Sequence, residues 1–139
     1  MTTIALRAPG SNWAASDLAA TGGRLLLAAI FLLSGYSKLA DPAATIGYIQ
    51  SVGLPLPQVG VALAIAAELV GGALLVIGYR TRLAAAALAV FTLVTALFFH
   101  SALGDQNQFI QFFKNVAITG GLLQVIAFGP GRLSLDGRA

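Results

Sequence analysis

Glu68 is the residue of this chain whose placement most demands an explanation. It is the only charge in an apolar run from about Gln58 to Tyr79, close to the middle of that run. A charge at the centre of a membrane helix costs about 2.5–3.5 kcal/mol on insertion scales. Glu68 should therefore face a protein interior and be protonated or paired. Three cationic candidates lie toward one face of the bilayer: Lys38, His100 and Lys114. Each falls about five to seven residues from the middle of its own apolar run, which at 1.5 Å per residue is roughly 8–10 Å above Glu68. Tyr36, Ser37 and Asn115 belong to the same layer. The expected geometry is a polar pocket open to the outer face and floored by Glu68.

Each of these residues also has a bland reading. Lys38 and Lys114 could extend to the headgroups, His100 could end its helix at the interface, and Glu68 could be a structural acid paired with Lys114. Gln124 suits an interhelical hydrogen bond. Phe98, Phe99, Phe109, Phe112 and Phe113 suit an aromatic interface belt, or else a wall for a flat hydrophobic ligand such as a quinone. Much chemistry is excluded. Cysteine is absent and His100 is the only histidine, so thiol redox chemistry, iron–sulfur clusters, a bis-histidine haem and a catalytic metal site lack ligands. No covalently bound cofactor is expected, and a stand-alone enzyme is not supported.

The elements that must position these residues follow from composition. The chain has 139 residues, 58% hydrophobic and 9% charged, with mean hydropathy +0.86. Soluble domains carry about 25% charged residues, so the solvent for this surface is lipid. We expect an all-α integral membrane four-helix bundle. Residues 1–21 read as a flexible Ala/Ser/Thr-rich tail, 22–131 as the membrane domain and 132–139 as a C-terminal tail. The spans are expected over about 22–39, 58–79, 83–101 and 109–128. Asp41-Pro42 reads as an N-cap followed by proline in the first turn. It opens a short interfacial helix over about 42–51, between spans 1 and 2, which Gly53 to Pro57 ends. Arg80-Thr81-Arg82 reads as a tight turn. The first apolar run is too long, and lacks the small-residue site, for a cleaved signal peptide.

The sequence pI is near 9.8, but the positive charges sit singly at span ends, which argues for topology rather than nucleic-acid binding. Arg7, Arg24, Arg80, Arg82, Arg132 and Arg138 share one side, and only Lys38 and Lys114 take the other. Both termini are therefore expected in the cytoplasm. Gly71-Gly72 and Gly120-Gly121 sit in similar contexts on spans 2 and 4, as small residues that let helices approach closely in lipid.

The segments RLLLAAIFLLSGYSKLADP, ELVGGALLVIGYRTR and GPGRLSLD, in that order, resemble the DoxX family over about Arg24 to Asp136. The resemblance implies a four-helix protein of the bacterial inner membrane. Some members are linked to membrane oxidoreductase assemblies, quinone-dependent redox steps, oxidative-stress defence or aromatic compounds. Glu68 matches the family's intramembrane acid, Lys38 the lysine ending the first span, and His100 a late histidine of the third. Three functions follow as expectations. The first is an accessory subunit that binds a quinone, or another lipophilic redox molecule, for a partner oxidoreductase. The second is a small transporter of aromatic or toxic lipophiles, for which four spans would require a homodimer. The third is a structural module whose buried polar groups fix helix register.

Overall fold

A computed structural model of the chain describes residues 13–138. Within them run five α-helices: α1 (Ala15–Ala40), α2 (Pro42–Ser51), α3 (Pro57–Ile77), α4 (Thr81–Phe99) and α5 (Gln106–Phe128), followed by a 3₁₀ turn at Asp136–Arg138. No strand occurs among the described residues. Four helices, α1, α3, α4 and α5, are long and apolar enough to cross a membrane. α2 is the short helix expected between the first two spans.

The helix boundaries have local causes. Asp41 accepts a hydrogen bond from the Ala44 amide and Pro42 sits in the first turn of α2. Asp105 caps α5 in the same way through the Gln108 amide. α3 begins at Pro57 and ends on Gly78, whose left-handed backbone (φ 68°) is the usual place for glycine. The tight turn is thus Gly78-Tyr79-Arg80, not Arg80-Thr81-Arg82, and Thr81 is already the first residue of α4. Asp136 explains the shift. Its carboxylate accepts from the amides of Arg80 and Thr81 and from the Thr81 hydroxyl, and so starts α4 early.

α1 corrects the expected boundary of the N-terminal tail. It begins at Ala15 rather than Gly22. Ala15, Ala19 and Ala20 are strong helix formers, and Asp17 complements the positive end of the helix dipole. The polar mixture hid a helix that hydropathy does not mark. At 26 residues and 1.5 Å each, α1 exceeds the hydrocarbon core of about 30 Å. Its first turns reach beyond that core, where Trp13 lies beneath the Arg132 guanidinium. The rest of the expected tail, with Arg7, lies outside the described residues.

α1 packs chiefly on α3 and α4 on α5, while α3 and α4 join the two pairs. α1 and α5 touch least among the adjoining spans. The core of Ala28, Phe31, Leu75, Ala84, Ala85, Leu88, Ala89, Leu122 and Val125 fills the half nearer the arginines. Small residues permit it. A Cβ at Gly71 would meet Leu88, and one at Gly72 would meet Leu32, both at 2.9 Å. Gly121 is close to Leu27 at 3.2 Å. Gly120 does not share the expected packing role. It faces outward with nothing within 4 Å of a built Cβ, one residue out of phase with Gly121. Gly35, not anticipated, lets α1 approach Leu69 and Glu68 of α3.

The arginine end is closed by the C-terminal segment, which is not a loose tail. Arg24 is buried to 1% exposure and donates to the carbonyls of Leu75, Val76 and Leu133. The Leu135 and Asp136 amides donate to Ile77 and Gly78, and Arg132 N–H donates to Asp17.

Candidate functional site

The half nearer the lysines is built differently. Glu68, in the middle of α3, is 5% exposed, and its partner is Lys38 of α1. Lys38 Nζ lies 2.9 Å from Oε2 and 3.1 Å from Oε1. The Ser34 hydroxyl, one turn below Lys38 on α1, donates to Oε1 at 2.9 Å and accepts from Lys38 at 2.6 Å. Residues i and i+4 share a helix face, so α1 presents an ammonium and a hydroxyl together to one carboxylate. Gly35 makes this possible by letting α1 and α3 come close. A salt bridge to Lys114, the structural alternative for Glu68, does not form.

Above this cluster is a chamber of about 720 Å³. Such volumes suit small-molecule sites, which are mostly apolar with a few placed polar groups. All five helices contribute. Glu68, Lys38 and Ser34 lie at the floor, while Phe91, Phe98 and Phe99 of α4 form an aromatic wall. His100, Lys114, Asn115 and Ser37 also line the chamber, as expected from the sequence. Tyr36 does not. It is 67% exposed on the outside of the bundle, because it lies two residues from both Ser34 and Lys38 and so on the opposite helix face. Phe109, Phe112 and Phe113 pack on one another and are absent from the lining.

The polar groups of the chamber differ in how far they are satisfied. Asn115 makes long contacts, 3.4 Å to the Thr95 hydroxyl and 3.5 Å to the Thr92 carbonyl, which tie α5 to α4. Nδ1 of His100 is buried with no hydrogen-bond partner among the described residues. Lys114 has no carboxylate partner, since the one ion pair among the described residues is Lys38–Glu68. Among the described residues no three His, Asp or Glu side chains group closely enough to hold a metal ion.

Ser34, Tyr48 and Phe91 were not anticipated. Ser34 carried a signal, its i, i+4 relation to Lys38. Tyr48 carried little. It lies on α2, where its hydroxyl donates to the Phe99 carbonyl at 2.9 Å and its ring packs on Phe99 at 5.1 Å. With Ile49 tucked against Gly60, these contacts hold α2 across the chamber as a cover. Gln124, expected to bond between helices, lies exposed in a groove between α1 and α5.

Comparison with known proteins agrees with the architecture. The family profile described as DoxX matches residues 19–101. The chain is similar to "Inner membrane protein YqjF" of Escherichia coli (strain K12), at 35% identity over 123 residues, covering 86% of this chain and 91% of the relative. It is also similar to "Inner membrane protein YphA" of the same organism, at 34% identity over 120 residues, covering 83% of this chain and 86% of that relative. No solved structure matches it.

Proposed function

We propose a function for a chain that belongs to the DoxX family and is a multi-pass inner-membrane protein: it is an accessory subunit that binds a quinone, or a lipophilic redox molecule of similar shape, for a partner oxidoreductase. The observation that carries this reading is the chamber itself, an apolar and aromatic space with a part-buried ion pair at its floor and two unengaged nitrogen groups on its wall. A quinone ring is flat and presents carbonyl acceptors. Phe91, Phe98 and Phe99 supply flat apolar surface, and Lys114 and one tautomer of His100 supply donors. When bound, such a molecule supplies the two-electron redox capacity that these side chains lack. The Ser34–Lys38–Glu68 cluster fixes the floor and can hold a proton beside the bound head.

The closed arginine end supports binding over passage. A carrier needs access from both sides, and here Arg24 and the segment after Leu133 fill the second side. Among the described residues five arginines lie at that end and two lysines at the other, and the positive-inside rule supports a chamber that opens toward the outer face with the arginine end cytoplasmic.

The test is binding of a benzoquinone probe to the full chain in lipid nanodiscs. Glu68→Gln and His100→Ala should each weaken it about tenfold, equivalent to about 1.4 kcal/mol. Unchanged binding in both, with helical content and melting preserved, refutes the reading.

A further inference from the structure

The chamber is not sealed on its flank. Ile30 of α1 and Ile118 of α5 line it, and the same two residues line a second cavity of about 780 Å³ in the groove between α1 and α5. The groove runs toward the arginine end past Gly23, Leu26, Leu27 and Gly121 to Phe128. It exists because α1 and α5 touch least among adjoining spans and because small residues face it. A Cβ built on Gly23 would meet nothing within 4 Å. Between Ile118 and Phe128 the helix advances about 15 Å. The chamber, with its few placed polar groups, and an apolar channel along the lipid-facing seam thus meet at one pair of isoleucines.

We propose that the ligand is an amphiphile with a long hydrocarbon tail, that its head reaches the chamber sideways from the bilayer between Ile30 and Ile118, and that its tail remains in the α1/α5 groove. This rests on the lipophilic-ligand reading above and specifies its substrate class. Lipid chains are as apolar as leucine side chains, so moving a tail from bilayer to groove gains little hydrophobic free energy. The groove serves as a route and an alignment rail. It lets a head dissolved in the bilayer arrive at Lys114 and His100 without leaving the membrane. It also orients the molecule so that the head enters first.

The experiment uses the full chain in lipid nanodiscs and two probes. One is a benzoquinone with a decyl tail that carries a photoreactive diazirine; the other is the tail-less benzoquinone. Tail labelling should fall on Leu26, Leu27, Gln124 and Phe128. Gly23→Leu places a side chain where the tail lies, in space now open, and should cut that labelling about fivefold or more, because filled space cannot be shared. Tail-less binding should be unchanged, and Gly120→Leu, outside the groove, should leave labelling intact. Labelling spread over the outward faces of α3 and α4 overturns the proposal. So does equal labelling of the groove by a tail-labelled phospholipid, which makes it an ordinary lipid contact, and so do crosslinks joining two copies of the chain there. If neither quinone head binds saturably while the groove is still labelled selectively, the quinone reading falls and the lateral route stands for an amphiphile with another head.

Discussion

Replacing Lys38 with methionine isolates the floor of the chamber. The Glu68 carboxylate receives three hydrogen bonds, two from Lys38 at 2.9 and 3.1 Å and one from Ser34 at 2.9 Å. Lys38→Met removes two of them and leaves a 6% exposed side chain with Ser34 alone. Hydrogen bonds to charged groups contribute about 1.5–3 kcal/mol each, so two suggest a loss of about 3–6 kcal/mol. The Lys38 side chain is 24% exposed, so water replaces part of what is lost. We expect about 3 kcal/mol, the lower end for breaking a buried pair. The double variant Lys38→Met/Glu68→Leu removes both charges and should lie within about 1 kcal/mol of the parent, since apolar replacement of a buried pair is often neutral. Unfolding in mixed micelles of rising denaturing-detergent fraction, run as a double-mutant cycle, reads both numbers. A single variant as stable as the parent, or a double variant as unstable as the sum of the singles, would show that Lys38 does not compensate Glu68.

Gly71 and Gly120, one from each glycine pair, should separate in stability measurements. Gly71→Leu should cost about 1–3 kcal/mol because its Cβ alone already meets Leu88 at 2.9 Å, whereas Gly120→Leu should be neutral or slightly stabilising by thermal melting. Asp136 predicts an acid-sensitive arginine end. The Thr81 backbone amide and hydroxyl, with the Arg80 amide, bind its ionised form and hold its carboxyl below the ordinary value of 3.8. This contribution, about 1 kcal/mol for a helix cap, is present in full above that ordinary value and is lost as pH falls through the lowered one. Asp136→Asn should therefore lower stability at neutral pH and lose that part of the acid-limb dependence in a pH series of melts. Equal acid limbs in the two proteins would refute the capping role.

The spans were legible because lipid imposes one rule along whole helices, and α2 was legible because Asp41-Pro42 is a strong local start signal. Glu68 was legible for the same reason as the spans, being a lone charge where charge is costly. Its partner needed helix phase as well as depth. Lys38, Tyr36 and Lys114 share a layer, yet only Lys38 lies on the face of α1 that Gly35 brings against α3. Depth alone puts Tyr36 in the chamber's layer, but helix phase puts it on the outside of the bundle. In sequence Arg24 looks like a topology charge, as the other arginines do. Nothing local distinguishes an arginine that meets lipid headgroups from one that meets three carbonyls, because its acceptors are far away in sequence. The segment after Gly131 looked like a tail for the same reason. Beside its internal bonds, the contacts that fix it run to distant residues of α1, α3 and α4.

Those distances have a consequence for how the protein is made. Arg24 enters the membrane with the first span, but its acceptors follow 51, 52 and 109 residues later. Chains are synthesised from the N-terminus, so the guanidinium spends most of synthesis without the carbonyls it will finally bind. A chain stopped before Leu133 would still contain all four hydrophobic spans and pass any check based on hydropathy. It would nevertheless leave Arg24 short of an acceptor and α4 without its Asp136 cap. Closure of that end is thus a late event: residues 133–136 complete a set of contacts that the first span leaves open.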